Sequence, residues 1–210
     1  MDLADRRRDY DNGTLDERDV SPDPLVQFAH WYGAAEAAGI PDANAAALAT
    51  AHDGRPTVRI ILLKGVVDGA FQFFTNWESR KAHELDSNPH AGLLFFWQSL
   101  ERQIRIEGAA ERVSAAIADA YFATRPRESQ LGAWASPQSA VLPDRDTLIR
   151  AFKDAERRFG DATIPRPVHW GGYALTPSVM EFWQGRAGRL HDRLVYRREK
   201  AGWSLTRLAP

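Results

Sequence analysis

Short apolar segments separated by turn signals constrain the fold of this chain more than any other feature of its sequence. They have the length and composition of β-strands, and the Asp-Gly pairs at 53–54 and 68–69 are strong hairpin signals. We predict strands at 45–51, 57–67, 70–75, 91–97, 103–113, 172–175, 179–183, 191–198 and 203–208. Helices are predicted at 25–38, at 78–87 with Asn76 as a possible N-cap, at 115–124 and at 145–159. Because these helices are inserted irregularly, the pattern favours a mainly β, α+β fold, an antiparallel barrel with attached helices, over a doubly wound parallel sheet.

The chain is predicted to form one domain that is preceded by an arm. Residues 1–24 are polar and end in Ser-Pro-Asp-Pro, which is typical of a mobile N-terminal arm leading into a helix. Plain disorder of this arm is the alternative. No internal repeat or clear linker divides residues 25–210, so we assign them to a single domain. With 44% hydrophobic residues and seven tryptophans, the 210 residues can bury a substantial core.

The composition argues against several classes of function. With 27 basic and 28 acidic residues, the net charge of −1 does not indicate a nucleic-acid or acidic-membrane partner. The absence of cysteine excludes disulfides and thiolate metal sites, and the six histidines are too scattered to predict a metal site. No apolar run approaches the ~20 residues of a membrane span, and no apolar segment follows the N-terminal charges, so we expect a cytoplasmic protein.

A stretch near the C-terminus is rich in groups that could bind a ligand. Residues 181–185 read EFWQG, and Arg189, His191 and Arg193 follow at alternating positions. On a strand these three side chains would project from one face, where two fixed charges flank an imidazole that titrates near neutral pH. Such a row suits an anionic ligand, and the indole of Trp183 suits a planar one. A solvated strand face is the alternative interpretation.

Two further groups of residues lie in the first half of the chain. Arg59 and Lys64 bracket four aliphatic residues, and the parity of a regular strand would place them on opposite faces. Thr75 ends a predicted strand, and Arg80 and Lys81 follow in the first turn of a predicted helix. Helix N-termini and basic side chains both favour anions, so this is a plausible phosphate cradle. A solvated surface is the alternative for both groups.

Tyr121, Arg125 and Ser129 are spaced by four residues. They would stack on one face if the helix continued, and together would form a good phosphate clamp. Pro126 predicts that the helix breaks there. The chain has no GxGxxG motif, P-loop or HExxH motif that would indicate another chemistry.

The stretch EFWQGRAGRLHDR resembles the C-terminal signature of the pyridoxine/pyridoxamine 5′-phosphate oxidases. The resemblance continues through RIILLK (59–64), FFTNWESRKAHEL (73–85), LERQIRIEGAAERV (100–113), YFATRPRESQLGAWAS (121–136) and RLAP (207–210). It implies a split β-barrel of the antiparallel Greek-key type that works as a homodimer, with FMN in clefts between the subunits. It also implies oxidation of pyridoxamine 5′-phosphate and pyridoxine 5′-phosphate to pyridoxal 5′-phosphate, a step of vitamin B6 synthesis and salvage. Dioxygen would accept the electrons, and hydrogen peroxide, with ammonia from the amine, would be released.

The same resemblance assigns residues to the cofactor and to the substrate. The positions that match flavin contacts are Arg59, Ile60, Ile61, Leu62, Leu63, Lys64, Phe74, Thr75, Arg80, Lys81, Gln103, Gln138, Ser139, Trp183 and Arg193. The positions that match substrate contacts are Arg7, Tyr10, Lys64, Tyr121, Arg125, Ser129, Arg189 and His191. Arg189 and His191 would act at the reacting end of the substrate. Phe74 stands where the family often has tyrosine, so this side chain has no hydroxyl to offer the flavin.

Three other functions are compatible with parts of the sequence. A flavin- or deazaflavin-dependent reductase could share the barrel, because one fold hosts many functions. A non-enzymatic carrier or sensor of FMN or pyridoxal phosphate would keep the phosphate-binding cations but would not need Arg189 and His191. A nucleic-acid-binding module could use the basic C-terminal segment, but the neutral net charge argues against it.

Overall fold

The computed structural model of the protein describes residues 1, 5 and 9–210. The described part contains five α-helices and nine β-strands. The helices are α1 Pro24–Ala37, α2 Arg80–Ser87, α3 Ala115–Thr124, α4 Arg127–Ala135 and α5 Arg145–Phe159. The strands are β1 Ala45–His52, β2 Arg55–Leu62, β3 Gly65–Val67, β4 Ala70–Asn76, β5 His90–Trp97, β6 Arg102–Arg112, β7 Trp170–Gln184, β8 Asp192–Glu199 and β9 Gly202–Arg207.

All nine strands join one antiparallel sheet, in which seven follow the order β2-β1-β5-β6-β7-β4-β3 and the other two, β8 and β9, branch from β7. β7 is the strand at which the sheet divides. One edge of β7 pairs with β6 along most of its length, whereas the other edge pairs first with β4 and then with β8, which in turn pairs with β9. The predicted mainly β fold with attached helices, a split barrel, is therefore confirmed.

Helix α1 closes the inner face of the sheet. Asp23 caps its N-terminus by accepting a hydrogen bond from the backbone N–H of Leu25, and Pro24 occupies the first turn, where a missing N–H costs nothing. Phe28 and Trp31 lie on the buried face, and Phe28 packs edge-on against Phe71 of β4. A second, smaller core forms where α3, α4 and α5 cover the start of β7 at Trp170. This second core places α3 and α4 beside the ends of β2 and β4.

The two predicted hairpins are confirmed, but the predicted strand at 57–67 is wrong. Asp53-Gly54 and Asp68-Gly69 adopt positive φ angles, as the tight turns of hairpins require. Between Leu62 and Gly65 the chain leaves its pairing with β1, and the backbone N–H of Lys64 instead bonds to the carbonyl of Gln72 in β4. Arg59 and Lys64 are therefore not related by the parity of one strand.

The strands predicted at 172–175 and 179–183 are one strand, β7. Its register against β6 shifts between Glu107 and Gly108, opposite Pro177. A bulge tolerates a residue that has no N–H to donate, so the strand continues through the proline. At this bulge the β6 backbone approaches β7 so closely that a Cβ on Gly108 would collide with the carbonyl of Thr176.

Replacement of Gly108 by alanine is expected to destabilise the protein by about 3 kcal/mol, because backbone rather than a movable side chain fills the space. Chemical denaturation measures this change. Gly33→Ala is the matched control, since Gly33 is exposed in α1 with nothing near the added methyl, and it is expected to stabilise by about 0.5–1 kcal/mol. Equal stabilities of the two variants would contradict the close approach at the bulge.

The helices differ from the prediction in two places. Asn76 is not the N-cap of α2, because α2 begins at Arg80 with Ser79 in the capping position. The Asn76 side chain instead accepts a hydrogen bond from the backbone of Glu78, in a turn that precedes the helix. Helix α4 was not predicted. The break at Pro126 is confirmed, but the chain resumes a helix directly after it and buries Leu131.

Residues 9–23 run along the C-terminal strands. The backbone N–H of Asn12 bonds to Glu101, that of Leu15 bonds to Asp192, and the hydroxyl of Tyr196 donates to the Ser21 carbonyl. The division into an arm at 1–24 and a domain at 25–210 remains a prediction. None of the helices in the described ranges combines the length and the hydropathy that a membrane span requires.

Candidate active site

A cleft of about 630 Å³ lies where β2 and β4 meet α3 and α4. The end of β2 and the following Lys64 form one wall, the end of β4 forms the floor, and the two helices form the opposite wall. Its lining residues are Ile60, Ile61, Leu62, Lys64, Phe74, Thr75, Asn76, Lys81, Tyr121, Thr124, Arg125, Pro126, Ser129, Gly132, Ala133, Ser136, Gln138 and Trp170. The structure thus brings together residues that are up to 110 positions apart in the sequence. Most of the site residues predicted in the first half of the chain are among them.

The charges in this cleft are of one sign. Lys64, Lys81 and Arg125 contribute cations, and none of the described residues that line the cleft is aspartate or glutamate. Hydroxyl groups of Tyr121 and Ser129 lie among them. Cations and hydroxyl donors without a neutralising carboxylate form a site for an anion, and a phosphate would use all of them.

Lys81 is the centre of a polar network at one end of the cleft. Its Nζ donates to Thr75 Oγ1 at 3.1 Å, to Ser79 Oγ at 3.3 Å and to Gln138 Oε1 at 3.0 Å. All three partners are neutral. Burial, and then the nearby charge of Arg59, lower the pKa of Lys81 to about 8. An arriving anion would therefore find a partly desolvated ammonium group held in place.

Arg125 also lines the cleft, and it has a buried donor without a partner in the described part of the chain. It follows the last residue of α3, and its guanidinium stacks 4.6 Å from the ring centroid of Trp170. Its Nη1 is buried and makes no hydrogen bond within the described residues. Burial lowers the pKa of Arg125. Because an unpaired buried donor is costly, and more so on a cation, this atom indicates where an anionic ligand would bind. The Nδ2 atom of Asn76 is a second buried donor without a partner.

Three aromatic rings form a flat wall beside these cations. The rings of Phe74 and Tyr121 stack with centroids 3.9 Å apart and planes inclined by 17°, and Trp170 continues the stack 5.7 Å from Phe74. The stack orients the Tyr121 ring by contacts with β4 and β7, although Tyr121 itself belongs to α3. The Phe74 ring therefore packs against another aromatic side chain, a role that needs no hydroxyl.

The C-terminal residues do not form the predicted row. Residues Ala187–Arg189 make a short 3-10 turn in which Gly188 and Arg189 have φ angles of 64° and 60°, and β8 begins only at Asp192. The predicted projection of Arg189, His191 and Arg193 from one strand face is therefore wrong, because left-handed residues turn the chain before the strand starts.

Tyr10, Trp183 and His191 form a compact group of rings. The centroids of Trp183 and His191 are 4.6 Å apart, and the Tyr10 ring is edge-on to both at 5.8 and 5.5 Å. Tyr10 lies over Gly185, where an added Cβ would be 2.6 Å from its ring. The Nδ1 atom of His191 accepts a hydrogen bond from the backbone of Arg186. Burial, and then the charge of Arg189, lower the pKa of His191.

Arg193 is held by a buried carboxylate. It binds Glu181 through Nε at 2.8 Å and Nη2 at 3.0 Å, and these bonds raise its pKa. Gln103, Trp183 and Arg193 are paired across β6, β7 and β8, so they project from one face of the sheet. Gln103, Arg105 and Glu107 alternate with buried residues along β6, so they lie on one face of that strand.

The remaining predicted residues lie behind or beside the cleft. The Arg59 side chain is only 21% exposed and binds Glu84, and Leu63 is part of the core. Arg80, Gln138 and Ser139 line a neighbouring cavity of about 910 Å³. Arg7 lies outside the described residues.

Within one chain, the predicted site residues therefore form two groups. The first lines the cleft, and the second comprises Tyr10, Gln103, Trp183, His191 and Arg193, which are not among the residues that line it. Sequence reasoning missed Asn76, Trp170 and Glu84. Asn76 directly follows Thr75, and this adjacency was the one sequence signal that could have placed it in the site. No sequence signal identified Glu84, because a glutamate on a short helix is usually a solvated charge.

The fold and the cleft define a split-barrel protein with a site suited to an anionic, planar ligand. The profile of the family described as "Pyridoxamine 5′-phosphate oxidase" matches residues 33–158, and that described as "Pyridoxine 5′-phosphate oxidase C-terminal dimerisation region" matches residues 170–210. The chain is 54% identical to the pyridoxine/pyridoxamine 5′-phosphate oxidase of Burkholderia vietnamiensis and 53% identical to that of Cupriavidus necator. In both comparisons the alignment covers 99% of each chain.

Two solved structures are also similar. PhzG from Burkholderia lata, in complex with tetrahydrophenazine-1-carboxylic acid, superposes with a TM-score of 0.88 at 34% identity, covering 94% of this chain and 98% of that one. A pyridoxamine 5′-phosphate oxidase-related, FMN-binding protein from Nostoc punctiforme has a TM-score of 0.68 at 20% identity, covering 86% and 97%, and supports the fold. The chain belongs to the pyridoxine/pyridoxamine 5′-phosphate oxidase family.

Proposed function

We propose that the protein is a cytoplasmic pyridoxal 5′-phosphate synthase, which oxidises pyridoxamine 5′-phosphate and pyridoxine 5′-phosphate with FMN as cofactor and dioxygen as electron acceptor. The observation that carries the proposal is the buried, unpartnered Nη1 of Arg125, in a cleft with three cations and no carboxylate among its described lining residues. Such a site suits a phosphate ester, and the adjacent aromatic wall suits a ring-shaped one. Hydrogen peroxide and, from the amine, ammonia would be the other products.

The residues around Lys81 fit the phosphate group of FMN. Lys81, Thr75 and Gln138 converge within 3.1 Å of one another, and Arg80 lines the neighbouring cavity that Gln138 also lines. A phosphomonoester would meet a hydroxyl, an amide and two cations there. FMN supplies two-electron redox chemistry when bound, and the protein supplies binding, orientation and charge.

In the same cleft, Arg125 with Lys64, Tyr121 and Ser129 would hold the phosphate of the substrate. The cleft would then take a flavin nucleotide at Lys81 and a phosphorylated substrate at Arg125. Contacts with the substrate phosphate would anchor the substrate in the cleft.

His191 would act as a hydrogen-bond donor toward the substrate. Since its Nδ1 accepts from the Arg186 backbone, the neutral ring carries its proton on Nε2. The lowered pKa keeps the ring neutral at pH 7. The nitrogen that remains for a ligand is therefore an N–H donor, which argues against a role as general base. The exposed Arg189 would contribute the fixed positive charge beside it.

A second copy of the chain would bring the two groups of site residues together. The solvent-facing side of β2 and β5 carries Val58, Ile60, Leu62 and Phe96, each between 42% and 69% exposed. Ile60 and Leu62 also line the cleft, so the cleft opens at the edge of this apolar face. We propose a homodimer in which each copy presents Trp183 and its neighbours to the cleft of the other. The match of residues 170–210 to a dimerisation region supports it.

The affinity for FMN is expected to fall as the pH rises above about 8, by up to tenfold per pH unit. The pKa of Lys81 is about 8 in the free site, and a bound phosphate would raise it. The protonated ammonium group of Lys81 therefore binds FMN more tightly, and this form is lost as the pH rises above about 8. Quenching of flavin fluorescence at pH 7 to 10 measures the dissociation constant. Lys81→Met should remove this dependence, and a pH profile that is the same in wild type and variant would contradict the role of Lys81.

One observation favours a second candidate, a non-phosphorylated aromatic acid as substrate, because PhzG is solved with such a ligand. The four phosphate-directed groups in the cleft argue for the phosphate ester. Comparing oxidation of pyridoxamine 5′-phosphate with that of unphosphorylated pyridoxamine distinguishes the two, since indifference to the phosphate would favour the second candidate.

An anaerobic experiment tests the proposed function directly. The protein is loaded with FMN, pyridoxamine 5′-phosphate is added, and the visible absorbance of the flavin is followed. Bleaching that reverses when air is admitted is the expected result. A flavin that binds without bleaching would rule out this substrate, and failure to bind FMN would contradict the assignment of the whole cleft.

A further inference from the structure

Glu84, on α2, is a buried carboxylate on which two arginines converge. It is 5% exposed. Its Oε2 accepts hydrogen bonds from Thr50 Oγ1 at 2.6 Å, Thr57 Oγ1 at 2.7 Å and Arg59 Nη2 at 2.9 Å, and its Oε1 accepts from Arg80 Nε at 2.8 Å. The contacts come from β1, β2 and α2, so one side chain joins three elements.

The two threonines complete the placement of Arg59. Each hydroxyl donates its proton to Glu84 and uses its oxygen to accept from Arg59, with Thr50 bonded by Nη1 at 2.5 Å and Thr57 bonded by Nη2. Nη1 also donates to the Leu48 carbonyl. A guanidinium bonded to acceptors on both Nη atoms has one orientation, and Glu84 is the acceptor that carries the opposite charge.

The charges around Glu84 match a phosphate monoester. Arg59, Arg80 and Lys81 carry three positive charges against one carboxylate, and a phosphomonoester near pH 7 carries about −1.5 to −2. Burial by itself would raise the pKa of Glu84, but the hydrogen bonds from the threonines and arginines lower it to about 2, so the group is charged at neutral pH.

We propose that Glu84 is a positioning residue for the phosphate end of the flavin nucleotide: it holds the guanidinium groups of Arg59 and Arg80 in the orientation that the phosphate requires. The inference rests on the proposed binding of FMN. Arg59 was predicted as a flavin contact, yet no sequence motif connects it to Glu84, which lies 25 positions away.

The test compares FMN with riboflavin, which has the same ring system and no phosphate. In Glu84→Gln, the uncharged amide retains one acceptor oxygen and cannot serve both arginines. FMN is expected to bind at least tenfold more weakly than to wild type, whereas the dissociation constant of riboflavin changes less than twofold. Quenching of flavin fluorescence measures both constants. Thr57→Val removes one hydroxyl of the same network, and it should weaken FMN binding relative to riboflavin by a smaller factor. If Glu84→Gln does not fold, Thr57→Val provides the test.

Glu78→Gln is the matched control. Glu78 lines the same 910 Å³ cavity and carries the same charge, but it is exposed and bonds to neither Arg59 nor Arg80 through its side chain in the described structure. It is expected to leave the ratio of FMN to riboflavin affinity within twofold of wild type.

Each other outcome overturns the inference. Equal weakening of FMN and riboflavin would assign Glu84 to the fold alone, and tighter FMN binding would show that its charge merely opposes the phosphate. If the wild-type protein binds riboflavin as tightly as FMN, the proposed phosphate site itself is contradicted. If the wild-type protein prefers FMN and Glu84→Gln leaves that preference unchanged, only the role of Glu84 is contradicted.

Discussion

Replacement of Arg125 by alanine is expected to raise the KM for pyridoxamine 5′-phosphate about 100-fold, while kcat falls less than threefold. The guanidinium presents a buried donor without a partner to the cleft, and a charge-assisted hydrogen bond contributes about 1.5–3 kcal/mol. A contact with the substrate phosphate, far from the reacting carbon, is made equally in the ground state and the transition state, so its loss appears in KM. Initial rates of oxygen uptake with saturating FMN measure both constants.

Arg127 offers a control two residues away. Its guanidinium bonds to the carbonyls of Gly160 and Ala162, just after α5, and Arg127 does not line the cleft, so Arg127→Ala removes the same charge from outside the site. It should leave KM within twofold of wild type. An unchanged KM in Arg125→Ala would remove Arg125 from the phosphate site.

Replacement of Arg189 by alanine is expected to slow anaerobic reduction of the flavin about 100-fold, with a change of less than threefold in FMN affinity. Arg186 and Arg193 in the same segment are bound to Asp192 and Glu181, whereas Arg189 is exposed and makes no ion pair with any residue in the described ranges. Its charge acts on His191. A fixed charge at the reacting end stabilises charge that develops in the transition state, which is worth about 3 kcal/mol in comparable sites.

Stopped-flow absorbance gives the reduction rate, and fluorescence quenching gives the FMN affinity. Arg197→Ala is the control, because Arg197 is also exposed and also basic but lies farther along β8. Its reduction rate should equal that of wild type. Parallel losses of FMN affinity and reduction rate in Arg189→Ala would place Arg189 on the flavin rather than on the substrate.

Local sequence signals were sufficient where structure depends on neighbours along the chain. The Asp-Gly turns, the start of a helix after Ser-Pro-Asp-Pro, and helix α5 follow from residues within a few positions of one another, and they were predicted correctly. The errors arose where tertiary pairing decides. The break after Leu62 reflects a change of partner strand, and the continuity of β7 reflects a bulge on β7 beside Pro177, where Gly108 of β6 permits the close approach of the two backbones.

The candidate site shows the same division. Arg125 and Lys81 were identified as ligand-binding candidates from their motifs, and the structure places them in one cleft. The partners that fix the orientation of these cations could not be identified. Glu84 meets Arg59 only because α2 packs on β1 and β2, and no spacing in the sequence encodes that contact.

The contact between residues 12–17 and the last strands has a consequence for synthesis. Arg207 binds the carboxylate of Glu17 and the carbonyl of Leu15, and Arg186 binds the carbonyl of Gly13. A ribosome releases the first of these segments early and the last one some 190 residues later. The segment that carries Tyr10 can therefore complete its contacts only after β9 has left the exit tunnel. The aromatic group around His191 is consequently among the last parts of the molecule to assemble on a nascent chain.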